Sequence, residues 1–272
     1  MELKSFLVLT FVSAVLAAAE SPDSRIVGGD PASIYEYPFI VSLVYTDPVT
    51  GYREQRCTGS IISSWHVLTT ASCFDEVNIE DFKIHAGATH SLQGGSNFDI
   101  YYLVVHPEYE PRNRTADIAI MMLYDPIGVT DTINVVYLPP QETHIPDGYP
   151  MRAVGWGYKG EYGPKNYFLY EFDTRTIPQQ QCLREFENND NIIVYDQVIC
   201  TQAPGRSMCG DSGAPLLINN VIMGFFSYST TCDDSVPDVF TRIDRHTGWI
   251  LQEAVSPYGA RSEGIPVRVK TI

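Results

Sequence analysis

Met208-Cys209-Gly210-Asp211-Ser212-Gly213-Ala214-Pro215-Leu216-Leu217 sets a serine between glycines, after an acidic residue and ahead of an apolar run. A serine in that setting is a nucleophile held on a tight turn, with backbone N–H groups around it that can cradle an oxyanion. Its hydroxyl attacks poorly near neutral pH unless an adjacent base takes its proton. The function of the chain therefore turns on whether the remaining sequence supplies that base.

Outward from this stretch, the text is mostly short β-rich runs separated by Gly, Pro, Asp and Asn. In the first half these are Phe39 to Tyr45, Gly59 to Ser63, His66 to Thr70, Phe82 to Ala86, Tyr101 to Val105 and Ile118 to Leu123. The second half has Met151 to Trp156, Tyr167 to Thr176, Ala214 to Ile218, Val221 to Ser227 and Val239 to Ile243. Runs of this kind predict an all-β antiparallel barrel or sandwich. Two segments carry helical signals: Pro178 to Phe186, which opens on a proline suited to a first helical turn, and Thr247 to Ala254. The residues 256–272 have no clear period and read as a flexible tail.

At 272 residues and 44% hydrophobic the chain can bury one large core or two small ones. Met1 to Ala19, with the apolar run Phe6 to Leu16 and then three alanines, has the layout of a secretory signal peptide. That run is too short for a membrane anchor, which needs about 20 apolar residues. All six cysteines lie beyond it, an even number that fits an oxidising compartment and three disulfides. Counting alone leaves the pairing open. The formal charge of −15, unchanged when the signal is removed, argues against nucleic acid and anionic membranes as partners. The motifs call for no cofactor and no metal.

The nucleophile stretch resembles the Gly-Asp-Ser-Gly-Gly-Pro signature of the trypsin/chymotrypsin family of serine proteases, with Ala214 in place of one glycine. Further blocks match in order: Ile26-Val-Gly-Gly29, Arg56-Cys57-Thr-Gly-Ser-Ile61, Leu68-Thr-Thr-Ala-Ser-Cys73, Asp117-Ile-Ala-Ile120, Gly155-Trp-Gly157 and Ser227-Tyr-Ser-Thr-Thr-Cys232. The resemblance spans 26–255 and implies a chymotrypsin-like pair of six-stranded antiparallel β-barrels, at 26–140 and 141–255, with a short C-terminal helix. It also implies the disulfides Cys57 to Cys73, Cys182 to Cys200 and Cys209 to Cys232. Residues 20–25 would be an activation propeptide cut after Arg25, so that the new amino group of Ile26 could pair with Asp211.

The family's base is a histidine just before the second cysteine, and here that position is Ser72. A serine hydroxyl has no pKa near operating pH and cannot accept and return a proton. Asp117 matches the family's orienting aspartate and is expected to accept a hydrogen bond from Ser72. His66, His85, His90, His106, His144 and His246 all read as structural or surface residues. The oxyanion hole would be built on Gly210 and Ser212. Cys209 adjoins Gly210 directly, one residue shorter than in the family, which threatens to re-aim the Gly210 N–H. The specificity pocket has drifted to Ser207, Ser229 and Asp238, with Asp238 expected to fill space. Asn113-Arg114-Thr115 is a glycosylation sequon bordering the cleft.

These residues imply a secreted, extracellular, catalytically inactive serine protease homologue that binds a protein partner, as a cofactor or decoy in a protease cascade. Two other readings stay open at this point: a residual or substrate-assisted endopeptidase using Ser212, and a storage or structural secreted protein.

Overall fold

The computed structural model describes residues 29–158, 165–187, 196–232, 235–255 and 264–272. The signal peptide and the Arg25/Ile26 junction lie outside the described residues. The first half contributes β1 (Asp30–Pro31), β2 (Ile40–Thr46), β3 (Arg53–Ile61), β4 (His66–Thr69), β5 (Phe82–Ala86), β6 (Ser96–Phe98), β7 (Ile100–Val105) and β8 (Ala119–Leu123). The second contributes β9 (Pro150–Gly155), β10 (Tyr170–Thr176), α1 (Gln179–Phe186), β11 (Val198–Gln202), β12 (Pro215–Ile218), β13 (Val221–Tyr228), β14 (Asp238–Arg242) and α2 (Thr247–Glu253).

Two antiparallel sheets result. One runs β6-β5-β2-β3-β4-β8-β7, and the other runs β1-β10-β11-β14-β13-β12-β9 and closes on itself through β9 and β10. The two-residue β1 only extends the rim of the second, so this is the chymotrypsin-like fold: one closed six-stranded barrel beside a half-barrel. Each barrel buries its own apolar face, Val41, Leu43, Ile84 and Met121 in the first and Phe172, Leu216, Met223 and Phe240 in the second. A third cluster joins them, in which Phe39, Ile62 and Leu68 meet Val154, Trp156, Phe225 and Ile250 of α2. Because that shared core is apolar, the barrels are held as one unit and the seam between them can carry a site.

Strand β3 begins at Arg53, well ahead of the run expected from Gly59, and β6 and β11 carry no sequence signal of their own. In β3 several buried residues are polar, Gln55, Thr58 and Ser60, beside the core residues Cys57 and Ile61. Gln55 and Thr58 are recruited by Asp211 at the seam, so hydrophobic alternation fails there. The three disulfides form as expected, Cys57 to Cys73, Cys182 to Cys200 and Cys209 to Cys232.

The segment expected to be a flexible tail is, over its last nine residues, a strap. Ile265 N donates to Ser64 Oγ (2.8 Å) and Ser64 N to Ile265 O (2.9 Å), while Leu138 N donates to Arg268 O (2.8 Å) and Lys270 N to Leu138 O (2.9 Å). Ile265 packs on the first barrel's core and Val267 on the shared one. Alternate apolar residues and borrowed backbone partners fix this segment; neither is visible without the surface it crosses.

Candidate active-site cleft

Register brings the first part of the site together. Thr69 of β4 lies opposite Ala119 of β8, so the 3-10 turn Ala71–Phe74 that follows β4 faces Asp117, two residues before β8. Ser72 donates twice to the Asp117 carboxylate, from its N–H (2.8 Å) and its Oγ (3.0 Å). Ser227, near the end of β13, reaches across from the other barrel and donates at 2.5 Å. Asp117 is wholly buried, and desolvation pushes its carboxyl above the usual range against the pull of Ser227, Arg114 and Ser72.

One component of this cluster carries no family signature. Arg114 Nη1 lies 3.8 Å from Asp117 and 4.0 Å from Asp75, whose carboxylate also accepts from the Tyr109 hydroxyl (2.9 Å). Arg114 and Ala116 both adopt positive φ, 58° and 47°, a backbone that costs about 1 to 3 kcal/mol per residue. That strain turns the guanidinium toward the buried charge. An Arg three residues before an Asp is the only hint the sequence gives of it. In the same loop Asn113 Oδ1 accepts from the Thr115 N–H (3.0 Å) and hydroxyl (2.7 Å), leaving the amide nitrogen of the sequon uninvolved in that pair.

The nucleophile turn is docked on β3. Thr58 N donates to Ser212 O (2.9 Å), and Gly213 has φ +83° with no room for a side chain, since a Cβ would sit 2.0 Å from Thr58 O. Ala214, where the family has glycine, is fully buried and bonded through its backbone to Asp211 and Phe226. The Asp211 carboxylate, also wholly buried, accepts from Gln55 Nε2 (2.9 Å), Thr58 Oγ1 (2.5 Å), Trp156 N (2.5 Å) and Gly157 N (3.2 Å). Gln55 and Thr58 are the polar residues that hid the first half of β3 in the sequence. Burial raises the Asp211 carboxyl, and its four donors oppose the shift.

Ser212 Oγ has no hydrogen-bond partner among the described residues, and the N–H groups of Gly210 and Ser212 likewise donate to none. The shortened Cys209-Gly210 junction is accommodated by φ +77° at Gly210, against which the Tyr158 ring packs so closely that a Cβ would fall 1.7 Å from it. Beside this turn Asp238 is 5% exposed and bound to its own chain. It accepts from Ser207 Oγ (2.7 Å) and Met208 N (2.8 Å), and burial pushes its carboxyl up to about 7. The Ser229 hydroxyl donates to Thr231 O at 2.7 Å.

None of the six histidines bonds to Asp117 or Ser212. His66 meets Ser63 Oγ (2.8 Å), His85 meets Asn97 (3.0 Å), His90 stacks on Tyr167, His106 packs on His246, and His144 is exposed. Among the described residues no cluster of acidic, histidine or cysteine side chains could hold a metal, and no helix is long and apolar enough to cross a membrane.

The family model for trypsin matches residues 26–250. This chain belongs to the trypsin family. Among relatives, alkaline trypsin C of Manduca sexta is 30% identical over 242 residues, covering 87% of this chain and 94% of the relative. Trypsin CFT-1 of Choristoneura fumiferana is 28% identical, covering 89% and 95%. Among solved structures, an inactivated protease paralogue of the scabies mite superposes with a TM-score of 0.75 at 24% identity, over 83% of this chain and 95% of its own. Human heparin binding protein gives 0.74 at 24%, over 87% and 100%. Those two likenesses establish the trypsin-like fold and nothing further.

Proposed function

We propose that this trypsin-family chain is a secreted, catalytically inactive homologue that acts by binding a protein partner in the extracellular space. The observation that carries this reading is the bonding of Asp117. Its carboxylate is engaged by Ser72 and Ser227, with Arg114 beside it, and no imidazole stands between it and Ser212.

Removing the histidine from a serine protease triad costs about 10⁶ in kcat, and what remains is the contribution of binding and the oxyanion hole. Asp238 supports the same conclusion, since its carboxylate is turned to Ser207 and Met208 and is not held out for a substrate side chain.

The partner would be an extracellular protein, a protease or another cascade component. Cleavage after Arg25 would act as a switch without chemistry, because a new amino group at Ile26 would have to compete with Gln55 and Thr58 for Asp211. A glycan on Asn113 would border the same cleft.

The unbonded Ser212 hydroxyl and the unspent N–H groups of Gly210 and Ser212 favour one second reading, hydrolysis assisted by a histidine in the substrate. Protein cleaved after Arg25, assayed on a mixed peptide library beside its Ser212→Ala variant, separates the two. Equal background hydrolysis by both supports the binding role. Turnover confined to histidine-containing peptides and lost in Ser212→Ala supports substrate assistance, and general turnover lost in that variant would overturn the proposal.

A further inference from the structure

Away from the cleft, the first barrel carries a cluster of surface tyrosines that its core does not need. Tyr101 of β7 is 56% exposed and Tyr124, just after β8, is 58% exposed. Their ring centroids lie 5.0 Å apart in an edge-to-face arrangement, and Tyr102 joins Tyr101 at 5.5 Å. The three are neighbours because β7 pairs with β8, placing Ile100 opposite Leu123 and Tyr102 opposite Met122, with an irregularity between Ile100 and Tyr102. Tyr124 N also donates to Asp99 O (3.1 Å), which ties the end of β8 to the start of β7. Tyr101 and Tyr102 are thus held on β7 and Tyr124 just beyond β8, with Tyr101 and Tyr124 open to solvent.

The surroundings are acidic. Asp125 follows Tyr124 and is exposed, and Glu253 of α2 acts on the Tyr102 phenol. Lys83, the cation on β5, is already paired with Asp99. Aromatic faces are electron-rich and attract guanidinium and ammonium groups, more so beside carboxylates. Tyrosine is also the residue type enriched where proteins anchor partners. An anionic or apolar ligand would meet the carboxylates of a chain of charge −15, so the complementary occupant is a cation.

From this we infer that Tyr101, Tyr102 and Tyr124 form a docking surface for an arginine- or lysine-rich segment of a partner protein. This surface is independent of the Ser212 cleft and holds whether or not that cleft turns over peptide.

The test uses the full secreted chain and a fluorescent penta-arginine peptide, with binding read by anisotropy at physiological salt. Each exposed ring contributes about two- to fivefold, so Tyr101→Ala with Tyr124→Ala is expected to weaken binding about five- to thirtyfold. Tyr101→Phe with Tyr124→Phe keeps the ring faces and should stay within about twofold of the native chain. Both positions are exposed, and an unchanged melting temperature confirms that the variants fold. Equal affinity of the native chain and the alanine double variant would mean that net charge alone attracts the peptide, and would overturn the inference. So would an absence of saturable binding by the native chain, or a loss in the phenylalanine pair as large as in the alanine pair.

Discussion

Protonation of His246, at the start of the C-terminal helix, should cost this molecule stability in acid by an amount that can be read from its burial. The residue precedes α2, is 3% exposed, and its Nε2 has no hydrogen-bond partner among the described residues. Its ring lies 4.8 Å from that of His106, which in turn packs 4.7 Å from Trp249. Burial, and then the neighbouring His106, push the His246 imidazole down to about 4. In the unfolded chain a histidine titrates near 6.5.

The folded state therefore resists the proton that the unfolded state accepts, so stability is lost as pH falls from about 6.5 toward about 4. Between about pH 7 and pH 5 this one group costs about 2 kcal/mol, which for a domain of this size is a drop of about 4 to 8 °C in Tm. The assay compares Tm or urea midpoints at both pH values for the native chain and for His246→Phe, a substitution of similar size that cannot titrate. The variant should lose about 2 kcal/mol less than the native chain over that interval, whatever its own stability at neutral pH. His66, also pushed down to about 4 by burial, contributes equally to both proteins and cancels. If the variant keeps the native pH slope, the argument from burial fails.

Three further outcomes follow from the same geometry. Ser72→His should return a base between Asp117 and Ser212, and because the Gly210 and Ser212 N–H groups remain unspent, peptide hydrolysis should rise about 10² to 10⁴-fold over a Ser72→His, Ser212→Ala control; no gain would mean that Arg114 or Tyr158 closes the cleft. For Asp238, raised from the ordinary carboxylate range to about 7, protonation favours the fold, so its contribution is lost as pH rises through about 7. Asp238→Asn should remove about 2 to 3 kcal/mol of that decline between about pH 5 and pH 8, measured by urea unfolding. Ending the chain at residue 263 removes the bonds to Ser64 and Leu138 and the packing of Ile265 and Val267, and should cost about 2 to 4 kcal/mol with the same far-UV spectrum; an unchanged melting temperature would mean that the strap carries no stability.

Much of the cleft was legible because its chemistry is written in short local strings. Gly210-Asp-Ser-Gly213 marks the serine turn, and Ser72 before Cys73 marks the residue that bonds Asp117, since each motif is held within a single turn of chain. Most strands were legible for a similar reason: short runs rich in Val, Ile and Tyr, bounded by Gly, Pro, Asp and Asn, are local signals. Strand β3 was only half visible, because Gln55 and Thr58 are buried as ligands of Asp211, a partner more than 150 residues away.

The sequence by itself determined the family, the serine at position 72 and an even set of cysteines, all of which depend on residue identity at positions fixed by neighbours in the chain. Tertiary structure decided what surrounds those residues. It brought Arg114 to Asp117 through a strained loop, laid Tyr158 on Gly210, turned Asp238 inward, and converted residues 264–272 into a strap. Apart from the local Arg114 loop, each of these depends on distances between segments remote in the chain, and burial and backbone hydrogen bonding of this kind exist only once those segments have packed together.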